Sequence, residues 1–159
     1  MKDISTYINE SLFDKDLAKN AANIKIDPTS INNREEVVIY AMSLPYEFKE
    51  EKSGVRDKEA YAFSINYNSH LSLYMDFVTP TEFIYEWREN GKSFYDVNST
   101  REIDSVKDWS ILFIPEKRVK EFRRVAKILE KSKNKKLSDW FKIQAERSKA
   151  AANKIESLL

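Results

Sequence analysis

Three acidic side chains and one guanidinium have the types and spacing for metal-assisted hydrolysis: Asp76, Glu86 and Arg88 on adjacent expected strands, with Glu10 upstream. Carboxylates so grouped hold Mg²⁺, and a cation beside them assists the attacking water. Solvent-facing strand positions explain Asp76, Glu86 and Arg88 equally well, and they are read here as such. His70 is the single imidazole and falls in a predicted turn, with no nucleophile and orienting acid near it in sequence. It reads as an exposed turn residue. Cysteine is absent, and the two glycines, Gly54 and Gly91, stand far apart. Disulfides, thiolate zinc sites, cysteine nucleophiles and glycine-rich phosphate loops are therefore excluded. No catalytic residue, no metal and no cofactor is expected.

Binding chemistry has more material. Trp, Tyr and Phe make up 13% of the 159 residues, and several alternate along expected strands. Aromatics on a sheet can stack on single-stranded bases. The set Tyr61, Phe63, Ile65 and Tyr67 includes an aliphatic residue, however, and matches a core face. The net charge is only +1, but residues 115–159 hold 14 Lys and Arg against 6 Asp and Glu. The rest of the chain is correspondingly acidic. Lys117, Arg118, Lys120, Arg123, Arg124, Lys127, Lys135 and Lys136 thus form a candidate surface for an acidic partner or for nucleic acid. Further on, bulky Trp140, Phe141 and Ile143 beside Ala145, Ala150, Ala151 and Ala152 suggest a helix that assembles with a neighbour.

These residues need elements to hold them. Ile4, Tyr7, Ile8, Leu12 and Leu17 describe an amphipathic helix within residues 1–23. Asp27-Pro28 and paired asparagines then form a linker. Val37 to Leu44 is a β-branched, apolar run that predicts a buried strand ended by Pro45. Lys49 to Lys58 is charged and aperiodic and predicts an exposed loop. Tyr61 to Tyr67 and Leu71 to Phe77 alternate with period two, and Asn68-Ser69-His70 joins them as an antiparallel hairpin. A second hairpin pairs residues 83–88 with 93–97 about Asn90-Gly91, a type I′ turn signal. Its expected register sets Trp87 against Phe94 and Tyr85 against Asp96, with Glu89 near Lys92. Trp109 to Ile114 predicts a sixth strand.

Pro115 suits the first turn of a helix carrying Val119, Phe122, Val125, Ala126 and Leu129 on one stripe. A last helix starts near Ser138 with a stripe of Trp140, Ile143, Ala151, Ile155 and Leu158. The fold class is α+β: a mainly antiparallel sheet of about five or six strands, with one N-terminal and two C-terminal helices. The organisation is a helix at 1–23, a β region at 35–114 and a basic helical pair at 115–159, expected to fold as a single domain.

Met1-Lys2, Tyr7 and Ile8-Asn9-Glu10 within MKDISTYINESL resemble, in order, the capsid-targeting leader of tailed-phage internal head proteins. That resemblance spans about a dozen residues and implies a cut between Glu10 and Ser11, so Tyr7, Ile8, Glu10 and Ser11 are candidate processing or docking residues. Asp76, Glu86 and Arg88 also resemble, in part, the Asp, Glu-x-Lys arrangement of metal-dependent nucleases, with Arg88 where Lys is usual. The expected function is that of a non-enzymatic phage-type protein of the virion or its assembly, acting by protein contacts. The alternatives are a small inhibitor of a host protein or an accessory nucleic-acid binder. Partners are then a phage structural protein or a host protein, with homo-oligomers allowed. No apolar run is long enough to span a bilayer, no membrane partner is expected, and the location is the host cytoplasm or the virion.

Overall fold

The computed structural model describes residues 24–97, 99–132, 136 and 138–159. The expected helix at 1–23, with Tyr7, Ile8, Glu10 and Ser11, lies outside them. The fold is α+β: among the described residues, one helix precedes an antiparallel sheet and others follow it. The chain divides into two compact units, Met1–Trp109 and Ser110–Leu159.

The first unit opens on helix α1 (Arg34–Ser43), where a strand over Val37 to Leu44 is expected from the apolar run. Two signals decide for the helix. Asn33 caps it, its side chain accepting from the Glu36 N–H at 2.9 Å, while Glu36 Oε1 accepts from the Asn32 N–H at 3.2 Å. Val37, Val38, Ile39, Tyr40 and Ala41 are all buried, so this short helix is enclosed on every side and shows no helical stripe. Leu44, just before Pro45, is already extended and ends it.

Strands β1 (Glu47–Glu51), β2 (Tyr61–Asn66), β3 (Leu71–Phe77), β4 (Glu82–Glu89) and β5 (Lys92–Asp96) pair in sequence order, all antiparallel. A two-residue β6 (Arg101–Glu102) pairs with the start of β4. The expected loop at Lys49 to Lys58 therefore gives up its first three residues to β1. This edge strand has a single apolar anchor, Phe48, stacked on Phe63 at 5.1 Å, and its remaining charges blunt an exposed edge.

Parity along β2 to β4 separates two faces. On the apolar face three rows cross the sheet: Tyr61, Phe77 and Phe83; Phe63, Met75 and Tyr85; Ile65, Leu73 and Trp87. All nine are buried, and Trp109 packs against Phe83 with ring centres 5.2 Å apart. At the β4–β5 turn Asn90 and Gly91 take φ of 51° and 81°, as a type I′ turn requires. Glu89 opposes Lys92 and Arg88 opposes Ser93, then a bulge shifts the ladder by one. Trp87 consequently faces Tyr95, not Phe94, and Asp96 lies opposite Glu86, not Tyr85. The extra residue brings Tyr95 beside Tyr85, ring centres 6.4 Å apart.

The expected sixth strand at Trp109 to Ile114 is instead helix α2 (Trp109–Phe113). Its buried large side chains, Trp109, Leu112 and Phe113, stand at i, i+3 and i+4, a helical spacing concealed in an unbroken apolar run. Pro115 then begins α3 (Pro115–Glu130), followed by α4 (Ser138–Leu158). Arg123 reaches Glu156 at 2.9 Å and Glu130 meets Lys149, so α3 and α4 run antiparallel. Small residues dominate the buried face of α4, namely Ala145, Ser148, Ala151 and Ala152 with Ile155.

Candidate functional site

The second face of the sheet is polar, and it gathers most of the residues whose types suggest chemistry. Ser64, Tyr74 and Glu86 form one row and Asn66, Ser72 and Arg88 the next. Asp76 is also on this face, but it is not solvent-facing as its place in a strand suggests: only 1% of it is exposed. The reason is the segment after β1, which folds over it. Ser53 Oγ donates to Asp76 Oδ1 at 2.7 Å and the Gly54 N–H donates to Oδ2 at 2.8 Å. The Tyr74 hydroxyl lies 3.1 Å from Oδ2 and 3.1 Å from the Lys52 carbonyl, shared between the two acceptors. Both oxygens of this buried carboxyl are thus met by hydrogen-bond donors from the chain itself. Burial, then the adjacent Asp76, pushes the Tyr74 phenol above its usual range.

Arg88 lies over the Tyr74 ring, 4.2 Å from guanidinium carbon to ring centre, and its Nε donates to Glu86 at 2.5 Å. Asp76, Glu86 and Arg88 are thus neighbours, as the strand spacing suggests. Their bonds run inward, Asp76 to the covering segment and Glu86 to Arg88. Among the described residues no three His, Cys, Asp or Glu side chains converge to hold a metal ion; Glu10 lies outside them. Tyr74 was missed as a partner of Asp76, although its position two residues earlier on one strand places it on the same face. Ser53 and Gly54 come from more than 20 residues away and leave no local signal.

Next to this cluster a groove of about 220 Å³ opens between the polar face and the two hairpin turns. Lys49, Glu51, Ser64, Asn66, Ser72 and Arg88 line its floor, with Asn68, Ser69, His70 and Asn90 at its end. His70 is exposed in the turn, and its Nδ1 is 2.9 Å from Asn90 Oδ1. Asn68 Oδ1 accepts from the N–H groups of His70 and Leu71, both at 2.8 Å, which fixes the turn. Ser64 Oγ donates to Glu51 at 2.9 Å and Asn66 Nδ2 to Glu47 at 2.9 Å.

The helical unit holds the other sites. Several members of the basic cluster are engaged within the unit. Arg123 takes Glu156 at 2.9 and 3.0 Å, Arg124 takes Glu121 at 2.5 and 3.0 Å, and Lys117 donates to Ser110 at 3.0 Å. Arg118 lies over the Phe122 ring at 4.1 Å. Lys120 and Lys127 are exposed, Lys136 is exposed in the turn before α4, and Lys135 lies outside the described residues. The hydrogen bonds from Arg123 and Arg124 hold the carboxyls of Glu156 and Glu121 below the usual range.

Trp140 and Ile143 do not join the buried stripe of α4 as expected; they are 53% and 63% exposed. Glu130, the last residue of α3, pairs with Lys149 of α4, one turn beyond the buried Ala145. The packed face instead follows the small side chains Ala145, Ser148 and Ala152, which allow close approach. Phe141 is half-buried and meets the Trp140 ring edge-on at 5.2 Å. Among the described residues no helix is long and apolar enough to cross a membrane.

No family model, no curated protein and no solved structure matches this chain.

Proposed function

We propose that this chain is a non-catalytic protein of bacteriophage type that works in the virion or its assembly through protein contacts. The observation that carries the contact-making part is the exposure of Trp140 and Ile143 in the first turns of α4. A half-exposed tryptophan beside an exposed isoleucine is the kind of anchor a partner covers, and tryptophan leads among residues that dominate interfaces. The engagement of Arg123 and Arg124 by glutamates favours a protein partner over a phosphate backbone, since those charges are already answered. The phage part rests on the leader-like MKDISTYINESL.

Particles purified from cells making the wild-type chain or the Trp140→Ala/Ile143→Ser variant provide the test. Because both side chains are exposed, the variant should keep its circular dichroism spectrum. Loss of a central tryptophan anchor of about 2 kcal/mol lowers retention on particles roughly 30-fold. Absence of the wild-type protein from particles, or equal retention of the variant, defeats the reading. Capture of a single host protein by the wild-type chain, with nothing on particles, would instead favour the inhibitor.

A further inference from the structure

We propose that the groove on the polar face of the sheet binds a neutral, polyhydroxylated ligand about the size of one sugar ring. The groove lies wholly within the first unit, and its volume of about 220 Å³ equals that of roughly seven liquid waters.

Its charges are largely answered from within. Glu51 accepts from Ser64, Glu47 accepts from Asn66, and Arg88 is held by Glu86 over Tyr74. Lys49 and Arg88 line the groove together with Glu51, so the walls offer no strong field of one sign. An oxyanion, which only accepts hydrogen bonds, would meet carboxylate and amide oxygens as well as cations. A sugar hydroxyl both donates and accepts, and the lining matches that. The Ser72 side chain spends no hydrogen bond within the described protein. Asn66 uses one amide N–H on Glu47 and has its second N–H and its carbonyl in hand. Nδ1 of His70 faces Asn90 Oδ1, which leaves Nε2 as a further polar atom of the lining.

The walls are also held in place before any ligand arrives. Three interstrand ladders fix the floor. The Asn90 N–H donates to the His70 carbonyl at 2.8 Å, which locks the two hairpin turns together. Such a site loses little freedom on binding. The lining is more polar than apolar, with amide, hydroxyl and carboxylate groups, which disfavours the flat hydrophobic ligands that most pockets take.

Titration of ¹⁵N-labelled full chain, followed by amide chemical shifts, tests the proposal with methyl α-D-glucopyranoside, N-acetylglucosamine and inorganic phosphate as probes. At least one sugar should shift the amides of Asn66, Ser72 and Asn90 saturably, with a Kd on the order of 1 mM. Ser72→Val keeps a strand-favouring residue but removes the free hydroxyl, and it should weaken that Kd about tenfold. Asn66→Ala provides a second variant should the first fail to fold, with the same expected loss. The proposal is overturned if neither sugar gives a saturable shift, or if phosphate alone moves these amides in a salt-dependent way. Binding left unchanged in whichever variant folds also overturns it.

Discussion

The two units bury different things. In the first, nine large side chains from β2, β3 and β4 form three rows, with Phe63, Phe77, Phe83, Tyr85 and Trp87 all at most 2% exposed. In the second, the buried residues of α3 and α4 are mostly small, Ala126, Ala145, Ser148, Ala151 and Ala152 beside Val119, Phe122 and Ile155, and ion pairs join the two helices. Aromatic rows make stability a matter of filled volume, whereas alanine seams make it a matter of close approach. The first is damaged by removing atoms and the second by adding them.

Phe77→Ala should produce the largest effect. It empties a site that is wholly buried between Phe63 and Phe83, with ring centres 6.4 and 5.8 Å away, and should cost about 3–5 kcal/mol. Urea unfolding followed by the amide signals of β2 to β4 measures this loss; a cost under 1 kcal/mol would show that the rows are not the core. Ala152→Leu comes next, since a larger side chain at this fully buried position of α4 should cost about 1–3 kcal/mol. Unchanged hydrogen exchange across α3 and α4 in that variant would refute the close-approach reading.

The smallest effects are those of pH, and here the units should separate. Burial, then the nearby Asp108, pushes the Tyr40 phenol up to about 12, and burial also raises Tyr61 and Tyr74. A phenol raised in the folded state adds stability that is complete below its unfolded value of 10 and lost as pH climbs through the folded value. Residues 110–159 contain no tyrosine, so alkaline loss between pH 10 and 12 should be confined to the sheet unit. Glu121 and Glu156 are lowered, so their contribution is present above the unfolded value of 4.5 and fades as pH falls through the folded values. Both pairs are exposed, and added salt should erase this acid-side effect. Amide exchange measured across pH would contradict the contrast if α3 and α4 loosened first at high pH.

How much of this could be read from the residues depends on the range over which each signal acts. Alternation at Tyr61 to Tyr67 and Leu71 to Phe77, the Asn90-Gly91 turn and Pro115 are local, and each predicted the element that forms. Continuous apolar runs carry no period, so Val37 to Leu44 and Trp109 to Ile114 read as strands although a cap and an i, i+3, i+4 set make them helices. The bulge after Trp87 is likewise invisible, because nothing in the hairpin residues marks the place where the ladder slips.

By itself, then, the amino-acid sequence determined the α+β class, both hairpins and the start of each C-terminal helix, since these follow from periodicity, turn chemistry and capping within a few residues. It also determined which chemistries are missing, because a residue type that is absent cannot be supplied by folding. Tertiary structure decided what depends on distant partners. It buried Asp76 under Ser53 and Gly54, joined Arg88 to Tyr74 and Glu86, and closed the groove between two turns 20 residues apart. It also left Trp140 and Ile143 exposed at the start of α4. Burial and charge pairing are properties of neighbours in space, and the order of residues along a chain states only the neighbours in line.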